Sequence, residues 1–322
     1  MGVRILDSKK AVVFTLMAIV ISLFFTLMFS ARIQKPLDHE TRVVKSRIAV
    51  LNKYMETFFD YAEITGSISA YSALRGIITD IDNTNQSNPE FNTQYLSCIR
   101  TGNLTSAKEC PCMENQTLIY YLDKMVNFSR EQLNINSEYI INPLSHTQKT
   151  SAFTIEVLIN LTLKINDAYA NITDTRIVTS STDINGLKDP LYLLNGTYDQ
   201  LINQTPLKRK EGDWKPSDLT RLYNKHEYRA YKGGISFINR IKANNTASPM
   251  GIESFVNHTH PTISYTANHS MTDYQFWLNQ TQRCSEDIVE INESIISPPG
   301  FQIDDTHRLS FGISSKNVTL TC

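Results

Sequence analysis

Residues 11–31 read AVVFTLMAIVISLFFTLMFSA, 21 residues without a charge. As a helix rising about 1.5 Å per residue, this stretch is long enough to span the ~30 Å hydrocarbon core of a bilayer. Arg4, Lys9 and Lys10 precede it, with only Asp7 opposing. That bias keeps residues 1–10 inside as a cytoplasmic tail and sends residues 32–322 out. A cleaved secretory signal is the competing reading, but its apolar core usually runs ~7–15 residues and no clean A-x-A site follows here. The expectation is a single-pass cell-membrane protein, N-terminus in and C-terminus out, with an extracellular α+β domain behind the transmembrane helix.

Moving outward, Pro36 should interrupt helical hydrogen bonding just past the span. A second helix is predicted from Asp38 or Thr41. Its apolar residues Val44, Ile48, Leu51, Met55, Phe58 and Ala62 step by 4, 3, 4, 3 and 4, the spacing of a coiled-coil seam. Such a stripe suits packing on the chain's own domain as well as packing against copies of itself. Self-association through these six residues is the expectation taken forward. The following GSISAYSALRGI, from Gly66, is rich in small residues that permit close approach. A further helix should end near Asp80, so residues 32–84 read as a helical stalk.

Residues 85–150 form a helical and loop region with cysteines. Asp80–Ser97 is polar and reads as a loop, whereas Asn115–Leu133 carries Leu118, Leu122, Met125 and Phe128 on one helical face. Five cysteines, Cys98, Cys110, Cys112, Cys284 and Cys322, are disulfide candidates in an oxidising compartment. Cys98 is expected to pair with Cys110 or Cys112, and Cys284 with Cys322, leaving one over.

Residues 151–322 read as a β-rich head. In AFTIEVLINLTLKI, Phe153, Ile155, Val157, Ile159, Leu161, Leu163 and Ile165 alternate with polar residues, the period of a half-buried strand. Asp167–Thr173 should turn, and Thr175–Ile184 should pair back antiparallel. Strand-like runs recur at Gly234–Ile241, Thr262–Tyr265, Tyr274–Leu278, Arg308–Ser314 and Asn317–Cys322. The whole is α+β: helices first, then sheet.

N-glycan acceptors, Asn-x-Ser/Thr, carry the most information about function. They occur at Asn85, Asn103, Asn115, Asn127, Asn160, Asn171, Asn195, Asn203, Asn244, Asn257, Asn268, Asn279, Asn292 and Asn317. With 26 asparagines and 59 serines plus threonines in 322 residues, chance supplies about five such sites. Fourteen point to a glycosylated extracellular surface. None precedes Asn85, so the span and the seam would be sugar-free while the rest is coated.

A long hydrophobic N-terminal helix, running through an apolar seam into a glycosylated β-rich head, resembles the architecture of archaeal type IV pilin-like proteins. The tracts DINGLKDPLYLLN (Asp183–Asn195), GISFINRI (Gly234–Ile241) and GIESFVN (Gly251–Asn257) also resemble N-terminally anchored surface proteins of small-genome archaea. The likeness is one of architecture. It implies a filament whose core is a bundle of N-terminal helices, with copies of the chain as partners.

Catalytic and metal signatures are missing from the linear sequence. His39-Glu40 and His226-Glu227 begin like H-E-x-x-H, but Val43 and Ala230 stand in the fifth position. DIDNTN, from Asp80, opens like a calcium loop but has Asn85 and Phe91 where Gly and Glu are needed. His258 and His260 in NHTHP could meet a metal but fit a polar loop better. There is no G-x-S-x-G, phosphate loop or G-x-G-x-x-G. Lysines and arginines number 31 against 32 acidic residues, which gives nucleic acid no basic surface. The reading is a non-enzymatic surface protein without cofactor or metal, a filament subunit in the first instance. Its alternatives are an anchored adhesion or receptor ectodomain and, less favoured, an ectoenzyme.

Overall fold

The computed structural model describes residues 16–24, 39–105, 108–195, 198–263, 269–278, 288–297, 299–314 and 318–320. Among them no helix is long and apolar enough to cross a membrane. Of the expected span only residues 16–24 are described. They are helical, but nine residues rise only about 14 Å, less than half a bilayer core. An N-terminal transmembrane helix running on into a long helix is therefore replaced by an α+β body built on a long helix that begins at His39. Residues 11–15 and 25–31, and the break expected at Pro36, lie outside the described residues.

Helix α1 (His39–Thr84) is 46 residues long and unites the two helices expected from the sequence. Leu51, Tyr54, Phe58 and Ala62 recur at spacings that fall on one face, Leu74 and Ile77 lie further round the helix, and each of the six is at most 1% exposed. The chain itself covers them. They join one core with α2 (Phe91–Thr101), α3 (Leu118–Leu133) and a four-stranded antiparallel sheet. α2 is followed by a two-stranded ribbon, β1 (Asn103–Thr105) and β2 (Lys108–Glu109). The polar loop read from Asp80 is shorter than expected, because α1 runs on to Thr84 and α2 begins at Phe91, whose ring is fully buried.

The large sheet comprises β3 (Asn136–Ile141), β4 (Ser145–Thr147), β5 (Thr154–Asn166) and β6 (Asn171–Asp183). β5 and β6 form the antiparallel hairpin expected from the alternation, in register from Thr154 opposite Asp183 to Asn166 opposite Asn171. β3 and β4 follow one another along the other edge of β5, so this sheet reaches back across the expected boundary at residue 151. Odd-numbered side chains of β5 are buried and even-numbered ones face out.

Two glycines let α1 lie against this framework. A Cβ on Gly66 would fall on Ser180 Oγ and 2.5 Å from Ile159 Cδ1. One on Gly76 would meet the Pro111 carbonyl oxygen and sit 2.8 Å from Cys110 Sγ. The small-residue stretch does permit close approach, but to the chain's own sheet and disulfide loop.

The rest of the chain is not a single β-rich head. Short elements alternate: α4 (Pro190–Leu194), α5 (Pro216–Lys225), β7 (Arg229–Ile235), α6 (Phe237–Ile241), β8 (Ile252–Glu253), α7 (Asp273–Leu278), β9 (Ile288–Ile291), β10 (Gln302–Asp304), α8 (Asp305–Ser310) and β11 (Val318–Leu320). β9 takes β10 and β11 on its two sides, and β7 pairs with β8. A second core gathers Trp214, Leu219, Leu222, Phe255, Phe301 and Phe311. Three expected strands are wholly or partly helical. Tyr274–Leu278 lies in α7, Phe237–Ile241 forms α6, and residues 308–310 end α8. In runs this short, periodicity does not separate strand from helix. Local caps decide: Ser236 Oγ accepts from Asn239 N, and Asp304 Oδ1 accepts from His307 N.

Gly76→Ala tests the close approach. Urea melts should show a loss of about 1–3 kcal/mol, the cost of overpacking, where the same exchange at an open helical position would gain about 0.5–1 kcal/mol. A gain would mean the helix has room to spare.

Candidate functional site

Eleven of the fourteen sequon asparagines fall among the described residues, and none is buried. Asn85, Asn103, Asn115, Asn127, Asn171, Asn203, Asn244 and Asn292 are exposed, whereas Asn160, Asn195 and Asn257 are half-buried. Asn268, Asn279 and Asn317 lie outside the described residues. Two sequons adopt the same local turn. Asn244 Oδ1 accepts from the Thr246 backbone N–H at 3.1 Å and its hydroxyl at 2.7 Å. Asn257 Oδ1 accepts likewise from Thr259 at 3.2 and 2.8 Å. The side-chain oxygen is engaged by the +2 residue, as in other Asx turns.

The expected seam divides. Leu51, Phe58 and Ala62 are fully buried in the chain's own core, and Val44, Ile48 and Met55 are half-buried. Cys98 and Cys110 form a disulfide, and Cys112 is a free, exposed thiol. Cys284 and Cys322 lie outside the described residues. The calcium-like stretch is the last turn of α1, where Asp80 bonds Lys108 at 2.5 Å and Asp82 bonds Lys188 at 2.9 Å. His258 and His260 go separate ways, the first to Tyr223 Oη at 3.0 Å and Pro299 O at 3.2 Å, the second stacked on Tyr198. Among the described residues no three His, Cys, Asp or Glu side chains are placed to hold a metal ion.

Two buried ionic networks hold the second half together. Arg240, fully buried, donates through Nη1 to Asp189 Oδ2 at 2.7 Å and Asp273 Oδ2 at 2.8 Å, and through Nη2 to Ile252 O at 2.6 Å. Tyr228 donates to the same Asp189 oxygen at 2.8 Å, and the Ser254 backbone and hydroxyl donate to Asp273. Burial pushes the Asp273 carboxyl up despite Arg240 beside it. In the second network Arg229 Nε meets Glu253 Oε1 at 2.5 Å, with its guanidinium set among the rings of Trp214, Tyr231 and Phe311. His307 joins it, with Nε2 2.9 Å from Glu253 Oε2 and Nδ1 against Asp304 Oδ2.

This carboxylate–imidazole–carboxylate arrangement looks catalytic, and its chemistry argues otherwise. Burial alone would lower the His307 pKa, but the Glu253 charge and the hydrogen bonds to Asp304 and Glu253 push it up to about 10. Both ring nitrogens then donate to carboxylates, leaving no lone pair to accept a substrate proton. At 2% exposure the ring is also out of reach of solvent. It is a structural ion cluster.

An open cleft of about 850 Å³ lies between the end of the large sheet and the 200–209 loop. Gln200, Asn203 and Gln204 bring amides to it, and Lys208 and Lys225 bring charge. A second depression of about 630 Å³ is lined by two sequon residues, Asn85 and Asn195.

None of the network residues stood out in the linear sequence, because their partners are 24, 33, 51 and 54 residues apart. Only Asp304 and His307, three apart at a helix start, carried a local signal.

Two measurements probe these networks. Arg240→Met should cost about 3–5 kcal/mol in chemical melts, since it strands two buried carboxylates. For His307 the folded pKa is raised, so its stabilisation is complete below about pH 6.5 and is lost as pH climbs toward about 10. Unfolding free energy should fall across that window by up to about 1.4 kcal/mol per pH unit, and His307→Gln should remove that component of the slope. Compared with known proteins, the chain matches no family model, no curated protein and no solved structure.

Proposed function

We propose that this chain is a non-enzymatic, N-glycosylated extracellular protein whose folded body serves as a binding or adhesion ectodomain. The observation that carries the reading is the agreement between sequence and burial. Fourteen sequons stand where about five are expected, and every one among the described residues lies outside the core. The Cys98–Cys110 disulfide fits the same oxidising compartment. The non-enzymatic reading draws support from the closed His307 cluster, whose imidazole is buried with both ring nitrogens held by carboxylates. The open cleft beside the 200–209 loop supplies a surface on which a ligand could rest.

A filament built by bundling N-terminal helices was the first expectation. Support for it weakens because Leu51, Phe58 and Ala62, which would form the bundle, are covered by their own chain. A self-contained ectodomain has no such conflict.

The full chain, produced in a glycosylating host, should have an intact mass above the 36.7 kDa polypeptide value. It should return to that value after enzymatic removal of N-glycans and scatter light as a monomer in mild detergent. An unmodified mass would sink the glycoprotein reading, and helical polymers would restore the filament.

A further inference from the structure

The outer face of the large sheet is the solvent side of a single layer, and it is less polar than the alternation implies. Ile140 on β3 is 47% exposed and Ile177 on β6 is 66% exposed. Leu158 on β5 is half-buried in the same outward row. In their midst sits Asn160, the acceptor of the sequon Asn160-Leu161-Thr162.

The register fixes how close they are. Asn160 is directly opposite Ile177, which sets their Cβ atoms about 4.5–5.5 Å apart. Leu158 lies two residues back on the same face, about 7 Å away. Ile140 is opposite Thr162 and so diagonal to Asn160, at about 7–8 Å. The Asn160 amide is held in place, because Asn142 Nδ2 donates to its Oδ1 at 3.2 Å. One side chain thus stands within reach of all three apolar groups. No other described sequon has this setting. Asn127, for example, faces Asp123, Lys124, Arg130 and Glu131 at the neighbouring helical positions.

We infer that an N-glycan on Asn160 is the cover of this sheet face, its first sugar rings seated on Ile140, Leu158 and Ile177. The proposal rests on the glycoprotein reading above and assigns one glycan a structural task. In the attachment step Asn160 Nδ2 bonds to the anomeric carbon of a lipid-phosphate-linked oligosaccharide. The anomeric carbon–oxygen bond to phosphate breaks, the lipid phosphate leaves, and Nδ2 gives up one proton. A pyranose presents a face of C–H groups edged by hydroxyls. Laid on the sheet, it removes isoleucine and leucine surface from water while its hydroxyls stay hydrated. Thr154, Thr162, Thr175 and Thr179 offer hydroxyls around it on the same face.

The test uses the full chain from a glycosylating host, with site occupancy read by glycopeptide mass spectrometry. Asn160→Gln and Thr162→Ala each destroy the sequon by a different atom, and Asn127→Gln is the control. Both sheet variants should raise the fluorescence of a hydrophobic-surface dye severalfold and lower Tm by roughly 2–4 °C, and Asn127→Gln should do neither. Ile177→Thr in the Asn160→Gln background should return the dye signal to that of the parent. Sugar elsewhere with Asn160 bare, or sheet variants indistinguishable from the control, overturns the inference and leaves the glycoprotein reading standing. A parent with no sugar at any site overturns both. A bare parent that dimerises, and is made monomeric by Ile177→Asp, would give the face to a second copy instead.

Discussion

The closeness with which α1 lies on the sheet is the constraint on which the first half of the molecule depends. A 46-residue helix has little stability by itself in water, and an apolar stripe of this width must be covered. Gly66 and Gly76 let the backbone come down onto Ser180 and the Cys110 loop, and Ser69, Ala70, Ala73 and Leu74 between them are fully buried. Once the helix is seated, polar contacts lock its register: Ser180 Oγ donates to Glu63 O at 2.8 Å, and Arg176 forms a two-pronged pair with Glu56 at 2.7 Å. Such half-exposed pairs contribute little, about 0–1 kcal/mol. The burial of the stripe, at about 25 cal/mol per Å² of apolar surface, carries the energy.

The second half solves the same problem with charge. Its elements are two to ten residues long and none can present a long stripe. Asp189 shows how they are tied. It caps α4 by accepting from Leu191 N at 2.9 Å, and it also receives Arg240 from α6 and Tyr228 from the turn before β7. Asp273, at the start of α7, accepts from the same guanidinium nitrogen. A buried pair of this kind is weak as a source of stability, because desolvation offsets most of the attraction. Its value is geometric, since only one arrangement of four short elements satisfies every charge. The His307 cluster does the same for β8, β10 and α8. This explains how a group with catalytic residue types comes to be sealed away from solvent.

The surface follows from these two halves. Strand alternation puts the polar row of β5 outward, Asn160 included, and the helical faces that carry Asn127 and the exposed positions of α1 point away from the core.

Much of this was legible from residue order alone. Alternation from Phe153 to Ile165 located β5 and its hairpin partner, because a period of two over 13 residues leaves no other reading, although β6 begins at Asn171, four residues before the expected Thr175. The apolar face of α3 was equally local, and so was the pairing of Cys98 with Cys110 or Cys112, between which the structure chooses Cys110. The same holds for the count of glycan acceptors, which is a property of composition and spacing. What covers the α1 stripe was not legible. Periodicity states that a face is apolar, and its partner is chosen only when strands 80 to 120 residues later fold back. Sequence also misread Tyr274–Leu278 and Arg308–Ser314, where capping side chains outweigh pattern in short runs. The ionic clusters lay wholly beyond it: a charged residue is ordinary until burial removes water, and burial is decided by tertiary structure.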